Sequence, residues 1–171
     1  AITAPVTLDG VTIYRYSCSA ELRSNSGTGI TRIGVICHEF GHVLGAPDYY
    51  DTNYGNDGAY FEGTGYWDLM AGGSWNNGGA TPAHHNGFTK WYYYGWITPT
   101  ELTSTQTVTL QNIENNQSLY FYTTPTSNEY FLLENRQQTG FDGAVPGSGM
   151  IIYHVDQDNV DSHFSSNNIN V

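Results

Sequence analysis

Two histidines four residues apart, His38 and His42, enclose Glu39 in the string HEFGH. On a helix, residues i and i+4 stand one above the other about 6 Å apart, so both imidazoles can reach one metal ion. Zinc suits the pair. Neutral imidazole nitrogens bind it at about 2.0 to 2.1 Å, and a catalytic site uses three protein ligands and keeps a position for water. Glu39 can then face that water instead of the metal and act as general base, taking a proton as the water attacks a carbonyl and delivering it to the leaving amine. Gly45 follows His42 by three residues, where a left-handed glycine ends a helix and turns the chain back. Asp48 comes three residues later, within reach of the metal as third ligand, although an acid after Gly and Pro also serves as an ordinary turn residue. Glu62 is the rival third ligand. Its setting, AYFEGTGYW, holds too much glycine for the helix on which a distant glutamate ligand normally sits.

These groups need a helix to carry them, and the sequence offers one. Ile30, Ile33, Ile36, Phe40, Val43 and Leu44 recur at helical spacing, with Thr28 or Thr31 as N-cap and Gly45 then Pro47 as the stop. Cys37, next to His38 but turned by roughly 100° around the helix, points away from the metal. Before this helix, Val6 to Tyr16 reads as strand with a turn at Asp9-Gly10. After it, residues 48 to 79 show no sustained period and read as ordered loop. A second helix is expected from about Ala83 to Tyr94. Beyond Pro99, strands are expected at Thr107–Leu110, Ser118–Thr123, Glu129–Glu134 and Gly149–Val155. The fold class is therefore α+β. No internal repeat or linker appears, so 1–171 reads as a single domain with a zinc-helix lobe over about 1–98 and a β-rich lobe over about 99–171.

Composition narrows the function. With 39% hydrophobic and 15% aromatic residues, the 171-residue chain can bury one proper core. Its formal net charge of -11, with only five Lys and Arg, would repel a phosphate backbone, which argues against nucleic acid as a partner. No apolar run approaches the roughly 20 residues of a membrane span. Cys18 and Cys37 either form a disulfide, closing a loop of a size typically worth about 3 kcal/mol, or remain two thiols.

The string HEFGHVLGAPD resembles the extended zinc signature of the metzincin clan, with Asp in place of the commoner third His. More closely, HEFGHVLGAPDYYD, YWDLMAGGSW, EYFLLENRQ and GMIIYHVD resemble the immune inhibitor A family of secreted bacterial metallopeptidases. The resemblance implies a metzincin-like core, endopeptidase action on proteins, a precursor with a removable pro-segment and an extracellular location. It also implies zinc on His38, His42 and Asp48, catalysis by Glu39, and a methionine turn at Met70 beneath the metal, where the bland reading is a core methionine. Clan members carry a larger subdomain before the zinc helix than the 37 residues that precede His38 here, so this chain is expected to be a fragment or processed core of a longer protein.

Other groups keep two readings. Asp51, Asn53, Asp57 and Glu62 could hold calcium in a glycine-rich loop, as could Asp156, Asp158 and Asp161, or both clusters are solvated surface. His84, His85, His154 and His163 default to structural or surface roles. Tyr66, Trp67 and Trp75 flank the methionine turn and line either a cleft or the core. Three functions follow: a zinc endopeptidase, a catalytically incompetent metal-stabilised binding fragment of one, or a zinc hydrolase acting on another substrate.

Overall fold

The computed structural model describes residues 5–14, 16–23, 27–52 and 60–163 of the chain. It is an α+β molecule. An exposed hairpin, β1 (Val6–Leu8) and β2 (Val11–Ile13), turns at Asp9 and Gly10, both at positive φ. Helix α1 (Ile33–Leu44) follows. Then come short 3-10 turns at Gly65–Trp67 and Gly72–Gly79, a π-helical turn at Thr89–Tyr93, and a four-stranded sheet. The sheet runs β3 (Thr100–Glu101), β4 (Tyr120–Thr123), β5 (Glu129–Arg136), β6 (Gly149–Asp156), with β3 parallel to β4 and the rest antiparallel. Helix α2 (Gln157–His163) follows β6.

Helix α1 starts three residues later than its apolar period predicts, and neither Thr28 nor Thr31 caps it. Ile30 pairs with Leu22 in a β-bridge, and the Thr31 amide donates to the Glu21 carbonyl, so this stretch is drawn into extended pairing. The end is as expected. Gly45, at φ 109°, donates to the His42 carbonyl while Ala46 donates to that of Gly41, which satisfies the last turn.

The packing of α1 departs from its hydrophobic pattern. Its buried residues are Gly34, His38 and Gly41, whereas Ile33, Ile36, Phe40 and Leu44 are exposed. The helix is set against the loop through glycine notches: a Cβ on Gly34 would lie 1.9 Å from the Ser74 carbonyl oxygen, and one on Gly41 2.5 Å from the Met70 sulfur.

The expected second helix is shorter, beginning at Gly87, because side-chain carboxylates capture the amides before it. His84 N–H donates to Asp142 and Asn86 N–H to Asp68, while the Asn86 side chain caps the Thr89 amide. Residues 107–110 form no strand, and β3 takes the place beside β4. One apolar cluster joins the two halves of the sequence, with Ala46, Met70 and Phe88 packed among residues that include Leu119, Leu132 and Val155.

Candidate metal centre

His38 and His42 project from one side of α1 with their rings edge to face, centroids 4.8 Å apart. The chain reverses at Gly45, and the following segment returns Asp48 to them. Asp48 Oδ1 lies 3.1 Å from His38 Nε2 and 3.2 Å from His42 Nε2. Ligand atoms bound at about 2.0 Å to one tetrahedral metal sit roughly 3.3 Å apart, so this spacing suits a shared cation. Among the described residues, these three form the group of His, Cys, Asp or Glu side chains able to hold a metal ion. The rival Glu62 is outside it and lines the adjoining cleft.

Hydrogen bonding fixes what the imidazoles present. His38 Nδ1 is 2.8 Å from the Leu69 carbonyl and His42 Nδ1 is 2.8 Å from that of Ala46. A carbonyl oxygen can only accept, so each Nδ1 carries the proton and each neutral ring turns a bare Nε2 lone pair toward Asp48. Two lone pairs and a carboxylate oxygen thus meet at close range, an arrangement that a cation reconciles. Without a metal, protons take that part. Burial opposes charge on both rings, yet the bonds to Asp48 and to the backbone carbonyls outweigh it and hold both histidines above their ordinary pKa.

Met70, fully buried, lies against Gly41 in the turn below the helix. Its amide donates to a residue that no sequence pattern singles out: Asp68 Oδ1 accepts the Met70 N–H at 2.6 Å, and Oδ2 accepts that of Asn86 at 2.7 Å. An acid two residues before a tight turn is the signal by which this bond could have been anticipated. Burial pushes the Asp68 carboxyl up to about 6.

Glu39, half-buried, opens with His38 onto a cleft of about 450 Å³. Tyr50, Tyr60, Tyr66 and Trp75 line it, together with Glu62. Tyr66 and Trp75 therefore belong to a cleft instead of the core, whereas Trp67 is not among its lining residues.

Remaining candidates separate from the centre. Cys18, exposed, and Cys37, half-buried, are free thiols, so of the two cysteine readings the disulfide is not the one observed. Cys37 lines an apolar hollow on the other side of α1 with Phe40, His84, His85 and Trp96. His154 pairs with Glu129 at 3.0 Å. Asp51 is buried, and Asp57 and Asn53 lie outside the described residues. The carboxylates of the later cluster have local uses: Asp156 accepts from the Asn159 amide, Asp158 from Asn128, and Asp161 from Tyr92 and Gln157.

A helix carrying HExxH, an acid returned to it and a general-base candidate facing a cleft define the class of metallopeptidase-like sites. Residues 25–97 match the family model described as Immune inhibitor A peptidase M6, catalytic domain. The chain is also similar to the Pre-pro-metalloprotease PrtV of Vibrio cholerae serotype O1, 44% identical over 59 residues, which cover 33% of this chain and 6% of that protein. Against Immune inhibitor A of Bacillus thuringiensis subsp. alesti it is 44% identical over 52 residues, 29% of this chain and 7% of that protein. The resemblance to the immune inhibitor A family thus holds over the segment bearing the site. The matched segments span a small part of these relatives' length. No solved structure matches. No helix among the described residues is long and apolar enough to cross a membrane.

Proposed function

We propose that this chain carries the catalytic centre of a zinc endopeptidase of metzincin type, with His38, His42 and Asp48 as metal ligands and Glu39 as general base. The observation that carries the reading is the approach of two Nε2 atoms to one Asp48 oxygen, at 3.1 and 3.2 Å, with the three ligand atoms all within 4.8 Å of one another beside a cleft that Glu39 lines. Zinc in this place would polarise the substrate carbonyl and acidify a water molecule. Glu39 is placed to serve as the proton carrier, accepting a proton from an attacking water and returning it to the amide nitrogen as the C–N bond breaks and the amine leaves. The Leu69 and Ala46 carbonyls hold the imidazoles in the Nδ1–H form. Met70 is read as the methionine turn, a polarisable floor under Gly41.

We read residues 1–171 as one catalytic unit with lobes at about 1–98 and 99–171 sharing a core. Protein substrates, export from the cell and synthesis with a pro-segment extend to this chain from the resemblance and from the relatives' names. Calcium near Asp51 and Asp57 is a subordinate part of the same reading. The deciding experiment is cleavage of an unfolded protein by the zinc-loaded chain. Cleavage that a chelator abolishes, and that Glu39→Ala loses while keeping its zinc, is expected. Zinc binding without cleavage in the parent chain would favour a metal-stabilised binding fragment.

A further inference from the structure

We infer that Asp68 is the positioning residue of this centre, acting through the Leu69–Met70 turn to set two of the three proposed ligands; the inference rests on the metal-site reading above. Asp68 is fully buried. Its two oxygens accept one amide each, from Met70 at 2.6 Å and from Asn86 at 2.7 Å, and so fasten the turn to the segment that enters the π-helical turn. The turn then gives out two carbonyls. That of Leu69 accepts from His38 Nδ1 at 2.8 Å, and that of Met70 accepts from the amide of Tyr49, the neighbour of Asp48, at 2.9 Å. A second tie closes the frame. Asn86 caps Thr89, whose hydroxyl donates to the Tyr49 phenol oxygen at 2.8 Å, so both ends of the Asp68 clamp lead back to the Asp48 segment.

His42 does not depend on this clamp. Its Nδ1 partner is Ala46, four residues away at the end of the same helix. Asp68 therefore governs His38 and the approach of Asp48 while leaving the His42 ring to its own helix end. A general loss of stability would loosen both histidines alike. Loss of the clamp separates them.

The test uses the full chain and Asp68→Asn, which retains one acceptor oxygen and turns an N–H₂ group toward the second amide. Zinc affinity is measured by competition with a chromophoric chelator, and the metal-free imidazole tautomers by ¹⁵N NMR. Expected are zinc binding at least tenfold weaker than in the parent, loss of the single Nδ1–H tautomer at His38, and its retention at His42. Unchanged affinity together with an unchanged His38 tautomer would overturn the inference, as would equal disturbance of both rings. A parent chain that binds no zinc would defeat the metal-site reading, while the contrast between the two rings would still decide the role of Asp68. Should Asp68→Asn not fold, the parent chain decides by hydrogen exchange. Met70 and Asn86 amides among the slowest to exchange support the clamp, and rates like those of the exposed Asn77–Gly78 turn overturn it.

Discussion

The bare Nε2 atoms of His38 and His42 owe their direction to two backbone carbonyls, and Asp48 owes its place to the reversal at Gly45. Removing the Asp48 carboxylate leaves two neutral nitrogens, too few for a three-ligand zinc site. Asp48→Ala is accordingly expected to lose zinc on dialysis while Glu62→Ala keeps it, with metal content read by atomic absorption; the reverse pattern would transfer the third ligand to Glu62. At this scale the sequence was most informative where the relevant residues are neighbours. His38, Glu39, His42 and Asp48 occupy eleven consecutive positions, so helix geometry and one turn bring three of them together. Asp68 was harder to see. One of its bonds is local, but its meaning comes from the Asn86 amide 18 residues on and from the Leu69 carbonyl at His38, 31 residues back. Backbone groups carry no residue identity for a pattern to catch.

Helix α1 was legible in its end and misleading in its faces. The glycine stop is a local conformational requirement, at φ 109°, and could be read directly. The buried stripe of Gly34, His38 and Gly41 could not, because apolar spacing points to the opposite side of the helix. Small residues there admit the Ser74 carbonyl and the Met70 sulfur instead of presenting side chains. Gly34→Ala should therefore cost more than helix propensity would return, since the new methyl would meet a backbone oxygen that cannot swing aside. Overpacking of this kind costs about 2 kcal/mol, or a melting temperature lower by roughly 5 °C. An unchanged melting curve would mean that the loop is not pressed against the helix in solution. The second helix teaches a related lesson. It is expected from about Ala83, yet buried carboxylates from distant segments claim the amides of His84 and Asn86 and delay the first turn.

Across the whole molecule, β5 turns charged groups inward. Arg136 is fully buried, bidentate to Asp142 and bonded to Glu134, whose other oxygen accepts the Gly87 amide. This cluster fastens the sheet to the loop behind the candidate metal centre. Arg136→Leu leaves Glu134 and Asp142 buried without their cation and is expected to cost about 3 to 5 kcal/mol, measured by urea unfolding. The sign of the acid response follows from other buried groups. Burial lowers His84 to about 4 and His85 to about 3, so below 6.5 the unfolded chain binds two protons that the folded one refuses. Asp68, raised to about 6, gives one proton back to the folded side. His38 and His42 are raised and are charged in both states below 6.5. Between pH 6 and 4 the metal-free protein should thus lose stability on acidification, by about 1.4 kcal/mol per pH unit for the net proton. A double His84→Gln, His85→Gln chain should reverse that slope, and an unaltered slope would count against their burial as neutral rings. The two carbonyls that orient the histidine pair also set an order of events. His42 finds Ala46 as soon as its own helix ends properly, whereas His38 must await closure of a loop that spans 31 positions. Loop closure with tertiary packing is slower than helix elongation. During refolding, a transiently helical chain would hold one ring in register and the other adrift, so that metal uptake at the proposed site would time the docking of the Leu69 turn, not the winding of α1.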